Sequence, residues 1–429
     1  MNAPRPARQP LMALDTALAD LLARVVPLTA TETVATVSAD RRVLADDLMS
    51  ALHVPPQDNS SMDGYAVRVA DVTEKGVVLP VSQRIPAGHP AQPLQPGTCA
   101  RIFTGASVPA GADAIVMQED AREVGGDFHA VHIDVVPPAG QWIRRAGEDV
   151  TAGAVVLPRG TLLSAATLGL AAGIGAAQLR VTGRPRVALF STGDELVMPG
   201  EVPPDQMKPG AIYNSNRFFL RVLLERLGCE VSDLGIVPDK REATLAALKT
   251  AADHHDLILT SGGVSVGEED HIKPAVQQLG SLDLWQIAMK PGKPFAYGTV
   301  RRDAGAGSAA GEHCHFIGLP GNPVSSYVTF LLLVRPFLLK LQGVADAAFL
   351  PPFQSMKLRA DFDLPRADKR REFLRVRRNA SGGLDLFPNQ SSGVLTSVSW
   401  ADGLVDNPAG TTIARGDLVD YIALSDLLA

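Results

Sequence analysis

From residue 185 to about 341 the sequence alternates short apolar runs with longer amphipathic ones, and this pattern constrains the fold more than any other part of the chain. RVALFST leads into SNRFFLRVLLERLG, EVSDLGIV into REATLAALKTAADHH, and DLILTSGG into EEDHIKPAVQQLG; LWQIAMKPG comes next, and HFIGLPGN runs into SSYVTFLLLVRPFLLKL. The apolar runs lack strict period-two alternation, as strands buried on both faces do. Repetition of this kind predicts a parallel sheet with helices on both sides, and such sheets bind ligands beyond the carboxyl ends of their strands. Five unusual segments fall there. STGDEL, GIVPD, TSGGVSVGEED, MKPGKP and GLPGNP each come directly after a strand, so all five are expected to line one crevice.

In TSGGVSVG, residues Ser261, Gly262, Gly263, Ser265 and Gly267 supply flexible backbone whose N–H groups suit phosphate or another oxyanion. A glycine-rich strand-to-helix turn is also a common structural connection, so the segment gains its weight from the three acidic residues after it. Glu268, Glu269 and Asp270 could serve the dipole of the next helix, yet three carboxylates beside an anion-binding turn repel phosphate unless a cation stands between them. Magnesium, held by carboxylate and phosphate oxygens, resolves that conflict. Asp194 and Glu195 after the first strand, and Asp239 after the second, would singly be helix caps or solvated turn residues. Their shared position at strand ends favours a site. Pro291 and Pro294 keep MKPGKP out of a helix, so Lys290 and Lys293 read as point charges for an oxyanion rather than as a solvated pair. GLPGNP, with Pro320, Gly321 and Pro323, is rigid enough to shape a pocket wall, and a helix is expected beyond it from Ser325.

A chain of 429 residues exceeds one ordinary core, and the texture outside the α/β region divides it further. Leu14, Leu18, Leu21, Leu22 and Val25 fall at helical spacing, so an amphipathic helix opens the fold. Short β-rich runs broken by Pro and Gly fill 51–144, and the Ala- and Leu-rich stretch 161–178 returns to a helical texture expected to pack on the opening segment. The expected organisation is α/β plus β: a discontinuous helical domain of 11–50 and 145–184, a β-rich insert of 51–144, an α/β domain of 185–345 and a carboxyl-terminal β domain of 346–429. A net charge of −6 argues against a general nucleic-acid binder. Asp15, Asp20 and Arg24 interrupt any secretory core near the amino terminus, and the longest apolar run, FLLLV from Phe330, is short for a membrane span, so no membrane association is expected. Cys99, Cys229 and Cys314 show no metal-ligand spacing, which fits a reducing cytosol.

Taken together, PPQDNSSMDGYAVR, RIFTGASVPAGADAIVMQED, STGDEL, TSGGVSVGEED, MKPGKPFAYG and GLPGNPVSS resemble the molybdopterin molybdenumtransferase (MoeA) family, which includes the E domain of gephyrin. The resemblance covers nearly the whole chain in order. It implies an elongated four-part homodimer whose α/β domain resembles a stand-alone molybdopterin adenylyltransferase. The implied reaction inserts molybdate into adenylylated molybdopterin and releases AMP, with Mg2+ held through Glu195, Asp239 and Asp270. It further implies site residues Asp63 and Thr104 on the insert, acting on the α/β cleft of the partner protomer, and Glu195, Asp239, Asp270, Lys290, Lys293, Pro320 and Pro323 in the α/β domain. The family's basic-acidic-aromatic motif matches RREFLR, suggesting Arg370 and Arg375, and its serine turn matches QSSG, suggesting Ser391 or Ser392. A molybdopterin adenylyltransferase and molybdoenzyme acceptors or chaperones are the implied partners. Adenylyl transfer itself, and a gephyrin-like assembly scaffold, are the competing readings.

Other segments carry less. By itself MDGY is a hairpin signal, since Asp-Gly is a favoured two-residue turn. RRDAGAGSAAGEHCH reads as an elongated loop, and strand alternation would send His313 and His315 to one face and Cys314 to the other, which is poor geometry for a metal. AGIGAAQ lacks the preceding strand and third glycine of a dinucleotide fingerprint. No serine, cysteine or histidine arrangement suggests a covalent nucleophile.

Overall fold

In the computed structural model, which describes residues 11–125, 129–263, 271–303, 312–345 and 354–428, the α/β region is built on a six-stranded sheet. Its strands are β1 (Arg186–Ser191), β2 (Glu230–Ile236), β3 (Leu257–Ser261), β4 (Gly280–Gln286), β5 (Pro294–Arg301) and β6 (His313–Leu319), in spatial order β2-β1-β3-β6-β5-β4. Successive side chains enter two different cores: Val187 and Leu189 join one apolar cluster, Ala188 and Phe190 another. Both faces being buried, the strands show no polar alternation.

The parallel arrangement holds for β2, β1, β3 and β6. It fails at the opposite edge, where β5 runs antiparallel to both β6 and β4. This strand, PFAYGTVR, is absent from the alternation read in the sequence. A parallel neighbour needs a crossover of about a dozen residues or more, and the MKPGKP turn is too short to supply one, so the chain folds straight back. Because β4 points the same way as β6, this turn still opens on the sheet edge shared by the other four segments.

Helices α3 (Ser215–Arg226), α4 (Arg241–His254) and α5 (Ile272–Leu279) come after β1, β2 and β3. Asn214 caps α3 by accepting a hydrogen bond from Arg217 N at 3.3 Å, and Leu220, Leu223 and Leu224 form its buried stripe. After β6, α6 (Pro323–Thr329) starts at Pro323 rather than at Ser325, with proline where a missing N–H is harmless. It passes through a π segment, Phe330–Val334, into α7 (Arg335–Leu341). The combined helix, Pro323–Leu341, is long and apolar enough to cross a membrane, but 83% of its apolar window is buried in the protein. It is a core helix.

Part of that cover is α1 (Leu14–Ala23), whose Leu14, Leu18, Leu21 and Leu22 share a cluster with Phe337, Leu338 and Leu341 of α7. The opening helix therefore packs on the α/β region and not on 161–178 as expected. The helix in that stretch, α2 (Ala165–Gly173), buries only Ala171 fully and offers no groove for a leucine stripe. From Thr31 onward the chain does meet it: Thr31–Ala35 pairs with Gln178–Thr182, and Leu48–Met49 with Val155–Leu157. The residues between these pairs carry a separate six-stranded sheet, from Gly64–Val67 to Ala130–Ile133. At the carboxyl end β7 (Arg371–Arg378) belongs to a third sheet, which takes the two-residue strand Met289–Lys290 from the α/β region as its edge.

Candidate active site

At the carboxyl edge of the sheet the turns after β1, β3 and β6 press against one another. Gly262 and Gly263 hold φ of +93° and +68°, a region costly for residues with a Cβ. A Cβ on Gly262 would lie 3.0 Å from Thr192 O, and one on Gly263 would lie 2.5 Å from Ile272 Cδ1. Gly262 N donates to Leu319 O at 3.1 Å, tying the β3 turn to the end of β6. Asn216, in the first turn of α3 and almost wholly buried, completes the knot: its Nδ2 donates to Ser261 Oγ and to Gly321 O, each at 2.7 Å. Sequence reading missed Asn216, and the available signal was a second asparagine just inside a helix already capped by Asn214. Ser265, Gly267 and Asp270, with Glu268 and Glu269, lie outside the described residues.

Glu195 stands exposed after β1, its carboxylate curled toward Gly193, where an added Cβ would meet Oε2 at 2.5 Å. Asp239 is half-buried after β2, whose end is fastened to β1 by Val237 N donating to Ser191 O at 2.9 Å. Among the described residues no group of three or more His, Cys, Asp or Glu side chains is placed to hold a metal. Two strand-end carboxylates nevertheless suit the hard oxygen chemistry of magnesium, which characteristically takes one or two carboxylates and completes its shell with water and phosphate.

The lysines separate. Lys293 is exposed and makes no ion pair among the described residues. Lys290, expected as a free point charge, instead donates to Glu372 Oε1 at 2.9 Å and lies 3.3 Å from Asp368 Oδ2. Its pKa is raised, chiefly by the Glu372 hydrogen bond, partly opposed by desolvation. Arg370 donates twice to Asp368, at 3.0 Å each, and holds that carboxyl well below the usual carboxylate range. Lys290 and Arg370 thus share one carboxylate at the junction of the α/β and carboxyl-terminal sheets.

Arg375 lies deeper, near enough to Glu372 to feel its charge and tied through its backbone to Gln390 of the serine turn. It is 1% exposed, with Nε on Ser397 Oγ and one terminal nitrogen on Phe373 O, and burial pushes its pKa down to about 10. Alternation along β7 puts it on the face of Phe373, which joins the α/β cluster, while Leu374 and Val376 enter the carboxyl-terminal core, and one of its terminal nitrogens is buried without a hydrogen-bond partner among the described residues. The serine turn meets the start of α6: Ser392 O accepts from Val324 N at 3.0 Å, next in sequence to the half-buried Pro323.

On the insert, Asp63 Oδ1 accepts from both N and Oγ1 of Thr104 at 2.8 Å. These two bonds, backbone first, depress its pKa, and the charge of Arg101 adds a smaller effect. Asp63-Gly64 is not a hairpin turn. Gly64 opens a central strand, where a Cβ would sit 1.9 Å from Val116 O. Among the described residues no hydrogen bond or ion pair joins this insert to the α/β domain within one chain.

In class, then, this is a multidomain α/β protein with its polar site at the sheet's carboxyl edge, a second domain closed against that edge and a separate acidic turn on a β insert. Residues 12–175 match the family described as MoeA N-terminal region (domain I and II), 188–340 the probable molybdopterin binding domain, and 357–424 the MoeA C-terminal region (domain IV). The chain is 40% identical over 366 residues to the molybdopterin molybdenumtransferase of Haemophilus influenzae, spanning 85% of each chain. It is 37% identical over 392 residues to the protein of that name from Nostoc, spanning 89% of this chain and 86% of the other. A crystal structure of the molybdopterin biosynthesis moeA protein from Pyrococcus horikoshii matches its fold with a TM-score of 0.80 at 26% identity, over 96% of this chain and 100% of that one. The chain belongs to the molybdopterin molybdenumtransferase family, a transferase family of molybdenum cofactor biosynthesis.

Proposed function

We propose that this protein inserts molybdate into adenylylated molybdopterin and releases AMP, acting as a cytosolic homodimer. The observation that supports this reading is the contact of the carboxyl-terminal domain with the α/β domain, where Lys290 meets Glu372 and Asp368 and the Ser392 turn meets Val324 at the start of α6. Two anions must meet for the reaction. The backbone amide of Gly263 and Lys293, which makes no ion pair among the described residues, would offset their repulsion, while Pro320 and Pro323 stiffen one wall. Glu195 and Asp239, with Asp270, would hold Mg2+, which when bound supplies Lewis-acid stabilisation of phosphate charge. Departure of AMP makes insertion favourable. Buried, unpaired Cys99, Cys229 and Cys314 fit a reducing compartment, and a molybdopterin adenylyltransferase upstream with molybdoenzyme acceptors or chaperones downstream would be its partners.

Purified protein given adenylylated molybdopterin, molybdate and magnesium should release AMP only when molybdate is present. Equal release without molybdate would reduce the activity to hydrolysis and end the insertion reading.

The distance between Asp63 and the α/β edge is bridged if the insert of one protomer closes over its partner's cleft. Exposed Phe218 and Val222 on α3 provide apolar surface for such an assembly. Mixing Asp63→Ala with Asp270→Ala chains should then restore about a quarter of wild-type activity, since half the dimers are mixed and each has one intact site of two. Confirmed subunit exchange without recovery would return Asp63 to its own protomer.

A further inference from the structure

Near the Asp63–Thr104 turn the insert sets two arginines on one face of its sheet. Arg84 and Arg101 are direct partners in a parallel strand pair, so their side chains leave the same face of the sheet side by side. Like charges directly opposite one another are destabilising, and folds normally place a carboxylate between them. Here neither arginine forms an ion pair among the described residues. Both instead lie over one ring, their guanidinium carbons 4.6 and 4.7 Å from the centroid of Phe103.

Arg101 is also fixed in direction. It donates to Gly64 O at 3.0 Å and to Gln118 Oε1 at 2.7 Å, and lies 5.2 Å from the Tyr65 ring centroid. Arg84 is exposed and makes no hydrogen bond among the described residues. Asp63 is close enough for Arg101 to lower its pKa, but its Oδ1 is already occupied by Thr104. Asp63 and Glu119, the latter hydrogen-bonded to Gln118 at 3.2 Å, lie on the Arg101 side, while Arg84 extends along the aromatic shelf with no ion pair among the described residues. Planar guanidinium forks suit phosphate oxygens, and a guanidinium held in place loses less freedom on binding.

We propose that Arg84 and Arg101, over Phe103, bind the phosphate of a nucleoside monophosphate next to the Asp63–Thr104 turn. The site rests on the proposed function only for which phosphate it receives: AMP, as leaving group, would be held by the insert while the pterin stays on the glycine turns. Arg84 and Arg101 then keep the leaving phosphate apart from Lys293 and the incoming oxyanion.

The test is calorimetric titration of the full chain with AMP, adenosine and inorganic phosphate. AMP should bind, adenosine should not, and phosphate should compete at higher concentration. Arg84→Ala should weaken AMP about tenfold and Arg84→Lys less, because lysine keeps the charge but not the fork. Arg101→Ala should weaken AMP further; its thermal midpoint is measured alongside, since Arg101 also supports Gly64. The exposed Arg84 variants, which leave that support untouched, decide the case if Arg101→Ala unfolds. Unchanged AMP affinity in Arg84→Ala, or AMP binding abolished by Gly263→Ala alone, would overturn the proposal. If AMP binding depends on Arg84 while molybdate-dependent AMP release is absent, the site stands and the insertion reading falls. Normal turnover with unchanged AMP affinity in Arg84→Ala removes the site alone.

Discussion

Replacing Lys290 by alanine should loosen the junction between the α/β and carboxyl-terminal domains more than neutralising its partner does. Glu372 is 3% exposed, and apart from Lys290 its carboxylate accepts, among the described residues, only the long 3.5 Å contact from Asn407 Nδ2. Lys290→Ala therefore strands a buried carboxylate. Breaking a buried pair from one side costs about 3–5 kcal/mol, and because the lysine side chain is 39% exposed the figure here is discounted to about 2 kcal/mol. Glu372→Gln leaves an amide oxygen to accept from Lys290, whose charge keeps Asp368 at 3.3 Å, so it should cost less than about 1 kcal/mol. The pairing of Met289–Lys290 with Arg371–Glu372 reports the difference directly. Hydrogen exchange over 286–294 and 370–378 should speed up roughly 30-fold in Lys290→Ala, since about 1.4 kcal/mol is tenfold, and only a few-fold in Glu372→Gln. The double variant should return toward wild type because the stranded charge is gone. Equal acceleration in both single variants, or none in either, would show that the pair does not hold the domains together.

Gly263→Ala should destabilise the fold by about 2 kcal/mol in denaturant titrations, because it adds a left-handed residue and a Cβ directed at Ile272. Gly321→Ala, whose Cβ would meet nothing nearer than Gly262 Cα at 3.9 Å, should stay close to wild type. Thr104→Val removes one of two hydrogen bonds to Asp63, so the Asp63 carboxyl, monitored by NMR, should titrate closer to its ordinary range. A depressed carboxylate stabilises the fold above its unfolded pKa and loses that contribution as pH falls, so the stability-pH curves of the variant and wild type should draw together in acid. His315, held neutral by burial with a pKa pushed down to about 4, contributes stability that is complete above 6.5 and declines between 6.5 and about 4 as the unfolded chain takes up a proton first. His315→Gln should flatten that part of the stability-pH curve, and an unchanged slope would place the acid sensitivity elsewhere.

The boundary between legible and hidden features runs between local patterning and tertiary pairing. Runs such as RVALFST are legible as buried strands because Val187 and Leu189 enter one core while Ala188 and Phe190 enter another, leaving no polar face to blur them. The glycine turns are legible for a related reason, since Gly262 and Gly263 mark backbone that side chains rarely adopt. By contrast, β5 escapes because direction depends on the length of the preceding turn, which apolar patterning does not encode. Lys290 and Arg375 stand out as unusual charges, yet their partners Glu372 and Ser397 lie 82 and 22 residues away, and no local pattern names them. Arg84 and Arg101 show the same limit from the other side: each is an ordinary strand arginine until register sets them together without a carboxylate between them. Register and tertiary pairing, which decide whether a cation such as Lys290 meets a carboxylate or one such as Arg84 lies over a ring, are therefore the information that local patterning lacks.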